Sequence, residues 1–389
     1  MAKIGDSVKK KVPELRFPGF TDDWEERKLG EFSDVRDGTH ASPKYVSQGH
    51  PMVTSKNLTH SGLDMTDVSF LTDEDFNEIN KRSKVSIGDI LFGMIGTIGN
   101  PVIVDRDDFA IKNVALIKEK TSNPITNKWL LQYLKSPSFN RFIQKENAGG
   151  TQKFIALGLI RDMKLRVPEF DEQQKIGSFF KQLDDTIVLH QRKLDLLKEQ
   201  KKGYLQKMFP KNGAKVPELR FAGFADDWEE RKFKDILKTH SFRSYLAGVS
   251  EDGEYEVIQQ GDKPIVGYSD GEPFTDYKDI TLFGDHTVSL YKPKSPFFVA
   301  TDGVKILSAD NFEGDYLYTT LERYKPEPQG YKRHFTILKN QDVWFTENME
   351  EQQKIGSFFK QLDNTIALHQ RKLDLLKEQK KGFLQKMFV

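Results

Sequence analysis

One long segment of this chain occurs twice, and this repeat constrains the fold more than any other feature. Glu172–Phe209, EQQKIGSFFKQLDDTIVLHQRKLDLLKEQKKGYLQKMF, returns at Glu351–Phe388 with three differences. A shorter box, VPELRFPGFTDDWEERK at residues 12–28, returns at residues 216–232 with two differences. The middle regions that follow the boxes, residues 33–171 and 237–350, show no similarity to each other. The repeated frame therefore makes the same contacts twice, whereas the two middle regions face different surroundings.

The repeated segment has the apolar spacing of a coiled-coil helix. Apolar residues recur at alternating steps of four and three, which forms one stripe along a helix. A stripe of this length must be buried. The simplest solution is that the two helices pack against each other as an antiparallel pair with pseudo-two-fold symmetry. At 1.5 Å per residue each helix would be about 57 Å long, or shorter if Gly203 and Gly382 break the last turns. The predicted seam consists of Ile176, Phe180, Leu183, Ile187, Leu194, Leu197, Ile355, Phe359, Leu362, Ile366, Leu373 and Leu376.

Four polar residues also fall on this stripe. His190 and His369 have no second ligand at a matching helical spacing, so we interpret them as packed histidines rather than metal ligands. Lys201 and Lys380 are expected to lay their stems along the seam with the ammonium groups in water.

The middle regions are predicted to be mixed α/β. Short apolar runs bounded by Gly, Asp and Asn indicate strands. The predicted strands are Ser86–Phe92, Pro101–Val104, Val114–Ile117, Tyr255–Ile258, Phe297–Ala300 and Val304–Leu307. The predicted helices are Asn127–Lys135 and Ser138–Gln144.

Composition limits the function only loosely. The 389 residues exceed the usual size of a single core, so more than one domain is expected. A net charge of +1 favours neither nucleic acid nor membrane, and the absence of cysteine excludes disulfides and thiolate metal sites. No apolar run has the length of a signal peptide or a membrane span, so a cytoplasmic protein is expected.

No catalytic constellation is found in the sequence. The glycines of FGMIGTIGN, residues 92–100, have GxxGxxG spacing and are followed by strand residues, so a turn between strands is favoured over a phosphate loop. No GxxxxGK[ST] loop, HExxH motif or cysteine cluster is present. An Asp302–Lys305 pair resembles part of a metal-dependent nuclease, but such pairs arise by chance in a chain with 30% charged residues. The sequence therefore predicts no catalytic residue and no metal site.

The middle regions do contain polar and basic residues interleaved with aromatic residues and glycines. Lys and Arg neutralise phosphates, and Asn, Gln, Thr and His can hydrogen-bond base edges in the major groove, although solvated loops have the same composition. The candidate DNA contacts in the first middle region are Thr39, His40, Lys44, Tyr45, Lys56, Asn57, Thr151, Gln152 and Lys153. Those in the second are Gln259, Gln260, Lys263, His286, Thr301, Arg323, Gln329, Tyr331, Lys332 and Arg333.

Taken together, these motifs resemble the DNA specificity subunits of type I restriction-modification systems. The resemblance covers nearly the whole chain and rests on the boxes that end in DDWEERK, on several local motifs, and on EQQKI at the start of each repeated segment. The local motifs are DGTH at residues 37–40, GDILFGMIGTIG at 88–99, FGDHT at 283–287, TDGVKIL at 301–307 and GYKRHF at 330–335.

The resemblance implies an α+β fold in which two mixed α/β target recognition domains are separated by a pair of long antiparallel coiled-coil helices. The first domain would span residues 1–171 and the second residues 211–350, with helices at 172–210 and 351–389. Each domain would read one half of a bipartite double-stranded DNA site. The helices would set the spacer and bind two modification subunits. S-adenosylmethionine, ATP and Mg²⁺ would belong to those modification subunits and to restriction subunits, and this chain would be non-catalytic.

Two other hypotheses remain open from the residues alone. A coiled-coil scaffold that binds proteins without DNA would suit the near-zero net charge. An enzyme with an unrecognised site would require turnover by the isolated chain.

Overall fold

The computed structural model describes residues 12–60, 62–120, 126–146, 154–211, 213–330 and 332–389. The chain divides into two compact units. Unit one consists of Met1–Leu189 with Leu373–Val389, and unit two is His190–Lys372. Each unit therefore contains one box, the middle region that follows it and parts of both repeated helices. We call the box with its middle region the first domain in unit one and the second domain in unit two.

The first domain contains eleven strands and five helices within its described residues. The strands are β1 (Glu25–Lys28), β2 (Ser33–Asp37), β3 (His50–Val53), β4 (Leu58–Thr59), β5 (Gly62–Leu63), β6 (Ser69–Leu71), β7 (Ile90–Gly93), β8 (Gly99–Ile103), β9 (Ala110–Ile111), β10 (Val114–Glu119) and β11 (Lys164–Val167). The helices are α1 (Leu29–Phe32), α2 (Asp73–Ser83), α3 (Asn127–Lys135), α4 (Pro137–Glu146) and α5 (Leu157–Asp162).

The second domain has fewer elements. Its strands are β12 (Glu229–Lys232), β13 (Leu237–His240), β14 (Tyr255–Ile258), β15 (Ile265–Ser269), β16 (Thr281–Gly284), β17 (Leu290–Tyr291), β18 (Phe297–Val299), β19 (Val304–Ala309) and β20 (Asp342–Phe345). Its helices are α7 (Phe233–Ile236), α8 (Gly314–Tyr324) and α9 (Phe335–Lys339). The long helices are α6 (Phe170–Lys207) and α10 (Met349–Lys386).

The two domains share a sheet topology although their sequences do not align. The central four-stranded sheet has the order β2-β10-β7-β8 in the first domain and β13-β19-β16-β17 in the second. A three-stranded sheet, β6-β3-β9 or β15-β14-β18, combines one antiparallel and one parallel pair in both domains. A two-stranded ribbon pairs the end of the box with the strand before the long helix, as β1-β11 and β12-β20. The unlike middle regions therefore form two versions of one fold.

Both repeated segments form continuous helices of 38 residues, and neither Gly203 nor Gly382 interrupts them. In unit one, the start of α6 packs against the end of α10, where the rings of Phe179 and Phe383 lie 5.0 Å apart. In unit two, the end of α6 packs against the start of α10, where Tyr204 and Phe358 lie 5.1 Å apart. Each unit thus contains an antiparallel contact between the two helices, as the apolar stripe predicts.

The predicted seam residues are all buried or half-buried. The seven buried ones are Ile176, Phe180, Leu194, Leu197, Ile355, Phe359 and Leu373. The five half-buried ones are Leu183, Ile187, Leu362, Ile366 and Leu376. Ile176 and Phe180 belong to the same core as Trp24 and Trp129 of the first domain, so the stripe serves the domain as well as the other helix.

The prediction for the seam lysines was wrong. The Lys201 ammonium lies 2.6 Å from a carboxylate oxygen of Glu322 and 2.6 Å from one of Asp363, and its side chain is 11% exposed. The Lys380 ammonium lies 2.6 Å from Asp184, with 14% of its side chain exposed. Both ammonium groups are therefore held in ion pairs rather than in water, because carboxylates of the packed elements surround the seam at these positions. His190 and His369 pack against each other, with ring centroids 5.7 Å apart.

The repeated box holds each domain on its long helix through a buried ion pair. Glu172 is fully buried and accepts two hydrogen bonds from the Arg16 guanidinium, at 2.7 and 2.8 Å, and one from Trp24 Nε1 at 3.1 Å. In unit two, Glu351 accepts two hydrogen bonds from Arg220 at 2.6 and 2.9 Å. Because box and helix bind each other directly, both parts of the frame must be repeated together.

Each short predicted element overlaps an observed one, but the bounds differ in most of them, and the predicted strand Ser86–Phe92 is a strand only from Ile90. Tyr255–Ile258 and Asn127–Lys135 have their predicted bounds, and the glycine-rich stretch of residues 92–100 includes the turn between the antiparallel strands β7 and β8. Helices α2 and α8 were not predicted. Within the described residues, no helix combines the length and apolar character that crossing a membrane requires.

Candidate nucleic-acid interface

Loops meet around Asn113 in the first domain. Asn113 lies between β9 and β10 with φ +56°, and its backbone carbonyl accepts hydrogen bonds from Ser55 Oγ at 3.1 Å and from the amide of Met94 at 3.4 Å. Its own amide donates to the carbonyl of Thr39 at 3.2 Å. We call residues 38–42, 54–57, 94–97 and 112–113 the first loop cluster.

His40 is fixed at the surface of this cluster. Its Nδ1 lies 2.8 Å from Asn113 Oδ1 and its Nε2 lies 3.0 Å from a carboxylate oxygen of the buried Asp37. These two hydrogen bonds raise the pKa of His40, with the bond to Asn113 as the larger cause. Arg82 binds the other oxygen of Asp37. These bonds orient the ring and engage both of its nitrogens, so a protonated His40 would contribute positive charge near a phosphate rather than a free hydrogen-bond donor.

The remaining first-domain candidates differ in exposure. Lys44 and Tyr45 are exposed, and Thr39 is half-buried. Lys56 is exposed and pairs with Asp67 at 2.8 Å. The candidates Thr151, Gln152 and Lys153 lie outside the described residues.

Asn57 has a different role from its exposed neighbours. Only 3% of its surface is exposed. Its Oδ1 accepts from the amide of Thr54 at 2.9 Å, and its Nδ2 donates to the carbonyls of Asp64 at 3.1 Å and Asp67 at 2.9 Å. The side chain therefore holds the loop together, and we do not include it among the proposed DNA contacts.

The first loop cluster also contains residues that were not predicted from the sequence. Lys112 donates to Ser42 Oγ at 2.9 Å, and the turn after β7 exposes Ile95, Gly96 and Thr97. Ile95 forms a β-bridge with Phe154, which is 50% exposed. Exposed apolar side chains beside polar ones are suited to contact with a thymine methyl group or a base face.

The equivalent loops of the second domain meet around Asp285. This residue is buried, its amide donates to the carbonyl of Gly303 at 2.8 Å, and its carboxylate accepts from the amide of Phe335 at 2.9 Å. The Lys305 ammonium lies 3.6 Å from the same carboxylate. We call residues 259–263, 284–289, 301–305 and 329–336 the second loop cluster.

His334 fixes the most basic loop of this cluster. The ring is fully buried, and its Nε2 accepts from the amide of Gln329 at 2.9 Å. Nδ1 therefore carries the proton and donates to the carbonyl of Asp285 at 3.1 Å. The loop between these anchors exposes Gln329, Lys332 and Arg333, and Tyr331 lies outside the described residues.

Gln260 and His286 are linked within the second cluster. Gln260 Oε1 accepts from the amide of His286 at 2.9 Å. A Cβ on Gly303 would lie 2.5 Å from Gln260 Nε2, and one on Gly284 would lie 2.7 Å from Gln260 Cβ. Glycine is therefore needed at position 284 for the loops to approach this closely, whereas the end of the Gln260 side chain could move away from a Cβ at position 303.

The other second-domain candidates are placed as follows. Lys263 and Thr301 are exposed, and Gln259 is half-buried and donates to the Lys263 carbonyl at 3.3 Å. Arg323 lies on α8, where its guanidinium is 5.1 Å from the ring centre of Tyr324, rather than on the loops. The structure thus brings most of the second set together and leaves Arg323 outside the cluster.

A cavity of about 500 Å³ opens beside the second cluster, and most of its polar lining was missed in the sequence. Lys305 lies in it 5.7 Å from the ring centre of Phe242, and His240 Nε2 lies 2.8 Å from Ser308 Oγ. Arg333 also lines it. His240 and Lys305 belong to strands whose apolar alternation conceals polar side chains that point away from the core. Among the described residues, no group of three or more potential metal ligands is found.

Comparisons with known proteins agree with this arrangement. Residues 21–199 and 225–378 match a family described as the type I restriction modification DNA specificity domain. The chain is 23% identical to the type I restriction enzyme MjaX specificity subunit of Methanocaldococcus jannaschii, over 93% of this chain and 92% of that protein. It is 22% identical to the MjaVIII specificity subunit of the same organism, over 60% of this chain and 52% of that protein.

Solved structures show the same fold at lower sequence identity. The S subunit of a type I restriction-modification system from M. genitalium matches with a TM-score of 0.69 and 16% identity, over 97% of this chain and 99% of that one. A chain from a study of complex assembly and conformational transition of the type I R-M system matches with a TM-score of 0.51 and 16% identity, over 95% of this chain and 98% of that one.

Proposed function

Because the chain belongs to the family of type I restriction modification DNA specificity domains, we propose that its two domains each read one half of a bipartite DNA site. The chain is a specificity subunit, the DNA-recognition component of such a system rather than its catalyst. The observation that carries the proposal is that one fold occurs twice with unlike residues on its loops. A shared scaffold with different loops is what two different half-sites require.

Residues in and beside the two loop clusters support different tasks. Lys44, Lys332 and Arg333 are exposed cations suited to phosphates, which set the position of the protein on the duplex. The Gln260 side chain is held by the hydrogen bond that its Oε1 accepts from the amide of His286, so its Nε2 can offer a donor to a base edge in a fixed direction.

The repeated helices supply the surface for the partner subunits in this proposal. Leu189 and Leu368 occupy the same repeat position and are 64% and 65% exposed. Leu196 and Leu375, seven residues further on, are 52% and 59% exposed. Residues seven apart lie on one face of a helix. Exposed leucines in duplicate would bind two identical modification subunits, and restriction subunits would join that complex.

Methylation sequencing tests this function. The chain is expressed with its modification subunit, and the methylated adenines are mapped to define the site. Replacing Lys332 and Arg333 with Gln, or Lys44 with Gln, should weaken methylation without changing the consensus, because phosphate contacts carry no sequence information. Replacing Gln260 with Ala should instead relax the half-site that the second domain reads and leave the other half-site unchanged. Methylation without a bipartite consensus would contradict the proposal.

The scaffold hypothesis predicts a different result. Contacts with phosphates release counterions, so DNA binding by the reconstituted complex should weaken steeply as salt increases. DNA affinity that does not change with salt would favour the scaffold hypothesis, in which the chain binds proteins and does not recognise DNA. A complex that acts on cellular DNA would work in the cytoplasm, and this location is part of the proposal.

A further inference from the structure

Unit one contains a cavity of about 510 Å³ that is not part of the first loop cluster. Small-molecule sites commonly have volumes of about this size. Helix α3 and the repeated helix α6 both contribute to its lining, through Asn127, Lys128, Leu131, Gln132, Gly177 and Lys181.

Two side-chain oxygens of this lining lack a hydrogen-bond donor. Asn127 is 4% exposed and Gln132 is 2% exposed. Asn127 Nδ2 donates to the carbonyl of Gly88 at 2.8 Å, and Gln132 Nε2 donates to Asp184 at 3.3 Å, so both amide groups are oriented. Within the described part of the chain, Asn127 Oδ1 and Gln132 Oε1 accept no hydrogen bond. Buried acceptors are normally paired, so a donor is missing here.

The two domains can be compared residue by residue around the cavity. Helices α3 and α8 each begin one residue after the residue that caps them, Thr126 or Glu313. Counted from these caps, Asn127 corresponds to Gly314.

Strand register gives the counterpart of Ile103, which also lines the cavity. Strands β7 and β16 are each four residues long and end in glycine. The second residue of β7 pairs with Val102, and the second residue of β16 pairs with Tyr291. The residues that follow these two, Ile103 and Lys292, therefore correspond.

Lys292 supplies in unit two a donor that unit one lacks. Its ammonium group donates to the carbonyl of Lys278 at 2.6 Å, and a Cβ on Gly314 would lie 2.6 Å from it. Ile103 has no polar atom in its side chain. A ligand with a donor group would complete in unit one what the chain itself completes in unit two.

The surroundings favour a neutral donor over a second ammonium group. Burial lowers the pKa of Lys292, and the carboxylates of Asp315 and Glu313 are among the charges that oppose this effect. Counted from the helix caps, Lys128 and Thr126 stand at these two positions in unit one. The carboxylates that favour a cation in unit two are thus replaced by a lysine and a threonine.

The carboxylates that do line the cavity already have partners. Asp89 is paired with Lys118, and Asp184 is paired with Lys380. Glu119 accepts a hydrogen bond from the backbone amide of the first residue of α3. The cation Lys128 is exposed, so it suits an anionic group of the ligand.

We propose that this cavity binds a mononucleotide whose base carries an exocyclic amino group. Such an amino group, as on N6 of adenine, is a neutral donor and can bind Asn127 Oδ1 or Gln132 Oε1. The half-buried Ile103 and Leu131 provide apolar contacts for the base, and Lys128 binds the phosphate. A simple amide or alcohol would supply the donor but neither the flat apolar body nor the anion. This inference goes beyond the proposed function, because the ligand is a free nucleotide and not DNA.

Three related ligands test the site by isothermal titration calorimetry on the full-length chain. The probe is AMP. Purine riboside 5′-monophosphate lacks only the amino group, and adenosine lacks only the phosphate. AMP should bind, and each analogue should bind roughly tenfold more weakly, because each loses one polar contact.

The second domain provides the design of the variants. Ile103→Lys introduces the lysine of unit two into the cavity and should abolish AMP binding, while thermal unfolding checks that the chain remains folded. Lys128→Asp introduces the exposed acidic residue type of unit two. It should weaken AMP binding roughly tenfold and leave adenosine binding unchanged. The matched control is Lys234→Asp, which changes the same charge at an exposed helix position of unit two and should leave both ligands unaffected.

Four outcomes are distinguishable. No AMP binding by the folded wild-type chain would overturn the site and leave water as the partner of the two oxygens. Equal affinity for AMP and purine riboside 5′-monophosphate would also overturn it, because the unpaired acceptors would then have no role. Displacement of AMP by a duplex carrying the mapped site would assign the cavity to a nucleotide of the DNA and overturn the free ligand. AMP binding by a chain whose complex methylates no bipartite site would support the cavity and contradict only the proposed function.

Discussion

Glu172 and Glu351 are fully buried carboxylates, and each binds an arginine of its own box. Removing one member of a buried ion pair leaves the other charge without compensation. We expect Glu172→Gln to destabilise unit one by about 3 kcal/mol and Glu351→Gln to destabilise unit two by a similar amount. Chemical denaturation followed by tryptophan fluorescence would measure both.

Asp185→Asn provides the control for these variants. It gives the first helix the residue found in the second, and it breaks an exposed pair with Lys181, so the free energy of unfolding should change by less than about 1 kcal/mol. An equally large loss in this variant would show that the buried pairs have no special role.

His40 gives a prediction for pH dependence. Its pKa is raised in the folded state, so its contribution to stability is present below its unfolded pKa and is lost as pH rises through the folded pKa. The stability difference between wild type and His40→Gln should therefore shrink between pH 5.5 and 8.5, as measured by thermal unfolding.

His60 should show the opposite sign. Its pKa is lowered, so protonation at acidic pH destabilises the folded state, and His60→Gln should gain stability relative to wild type as pH falls. If the stability differences of the His40 and His60 variants changed with pH in the same direction, the hydrogen bonds of His40 to Asn113 and Asp37 would not be the cause of the pH dependence at His40.

Sequence reasoning found the polar loops but could not separate exposed residues from structural ones. Lys56 and Asn57 are neighbours in the sequence and are both polar. Lys56 is exposed, whereas Asn57 is buried and its side chain makes three hydrogen bonds within the loop. Lys305 was set aside as a chance pair with Asp302, although it lies 3.6 Å from the buried Asp285. Both differences arise from contacts between residues distant in sequence.

Glycines within the repeated helices show how an element is shaped by its neighbours. A Cβ on Gly177 would lie 2.9 Å from Lys128 Cβ and 3.0 Å from the amide of Trp129. A Cβ on Gly356 would lie 2.7 Å from the amide of Tyr316. At Gly203 and Gly382 nothing lies within 4 Å. Gly177 and Gly356 thus allow a neighbouring helix to pack closely. Gly203 and Gly382 have no neighbour that requires the absence of a side chain.

Alanine substitution should therefore have opposite effects at these sites. Gly177→Ala and Gly356→Ala should destabilise the protein by about 1–3 kcal/mol through overpacking. Gly203→Ala and Gly382→Ala should stabilise it by about 0.5–1 kcal/mol, because alanine favours the helix. The melting temperatures of the four variants would test these opposite effects. Stabilisation by all four substitutions would mean that helix propensity outweighs packing at every one of these glycines.

Local pattern predicted those elements whose own residues determine them. NKWLLQYLK has apolar residues at helical spacing and gives α3, and YEVI gives β14. The segment GDYLYTTLERY forms α8 although it contains Gly and two adjacent Thr, because the burial of Tyr316, Leu317 and Leu321 outweighs weak helix propensity. Where contacts with other elements stabilise a helix, as in α8, the residues of that helix alone do not predict it.

For the whole molecule, the repeat in the sequence correctly indicated duplicated contacts, but it concealed the shared fold of the two domains. The order β2-β10-β7-β8 recurs as β13-β19-β16-β17 with no visible sequence similarity. Strand order depends on which positions are apolar, and many residues satisfy that pattern. The loops can therefore diverge to read different half-sites while the core keeps its topology.

If the helices act as a ruler between the two half-sites, their length should set the unread spacer. Duplicating the heptads 186–192 and 365–371 in one variant would retain the apolar seam and lengthen both helices by about 10.5 Å. At about 3.4 Å per base pair, the recognised spacer should lengthen by about three base pairs while both half-sites stay the same. Methylation sequencing would measure this.

Assembly with the modification subunit must be checked by co-purification, because a variant that cannot assemble would not methylate at all. Duplicating the heptad in only one helix should disrupt the antiparallel match and abolish methylation. If the doubly lengthened variant assembled and methylated sites with the original spacer, the ruler would be contradicted. A changed half-site sequence would contradict it as well, because the duplication leaves every residue of both loop clusters in place.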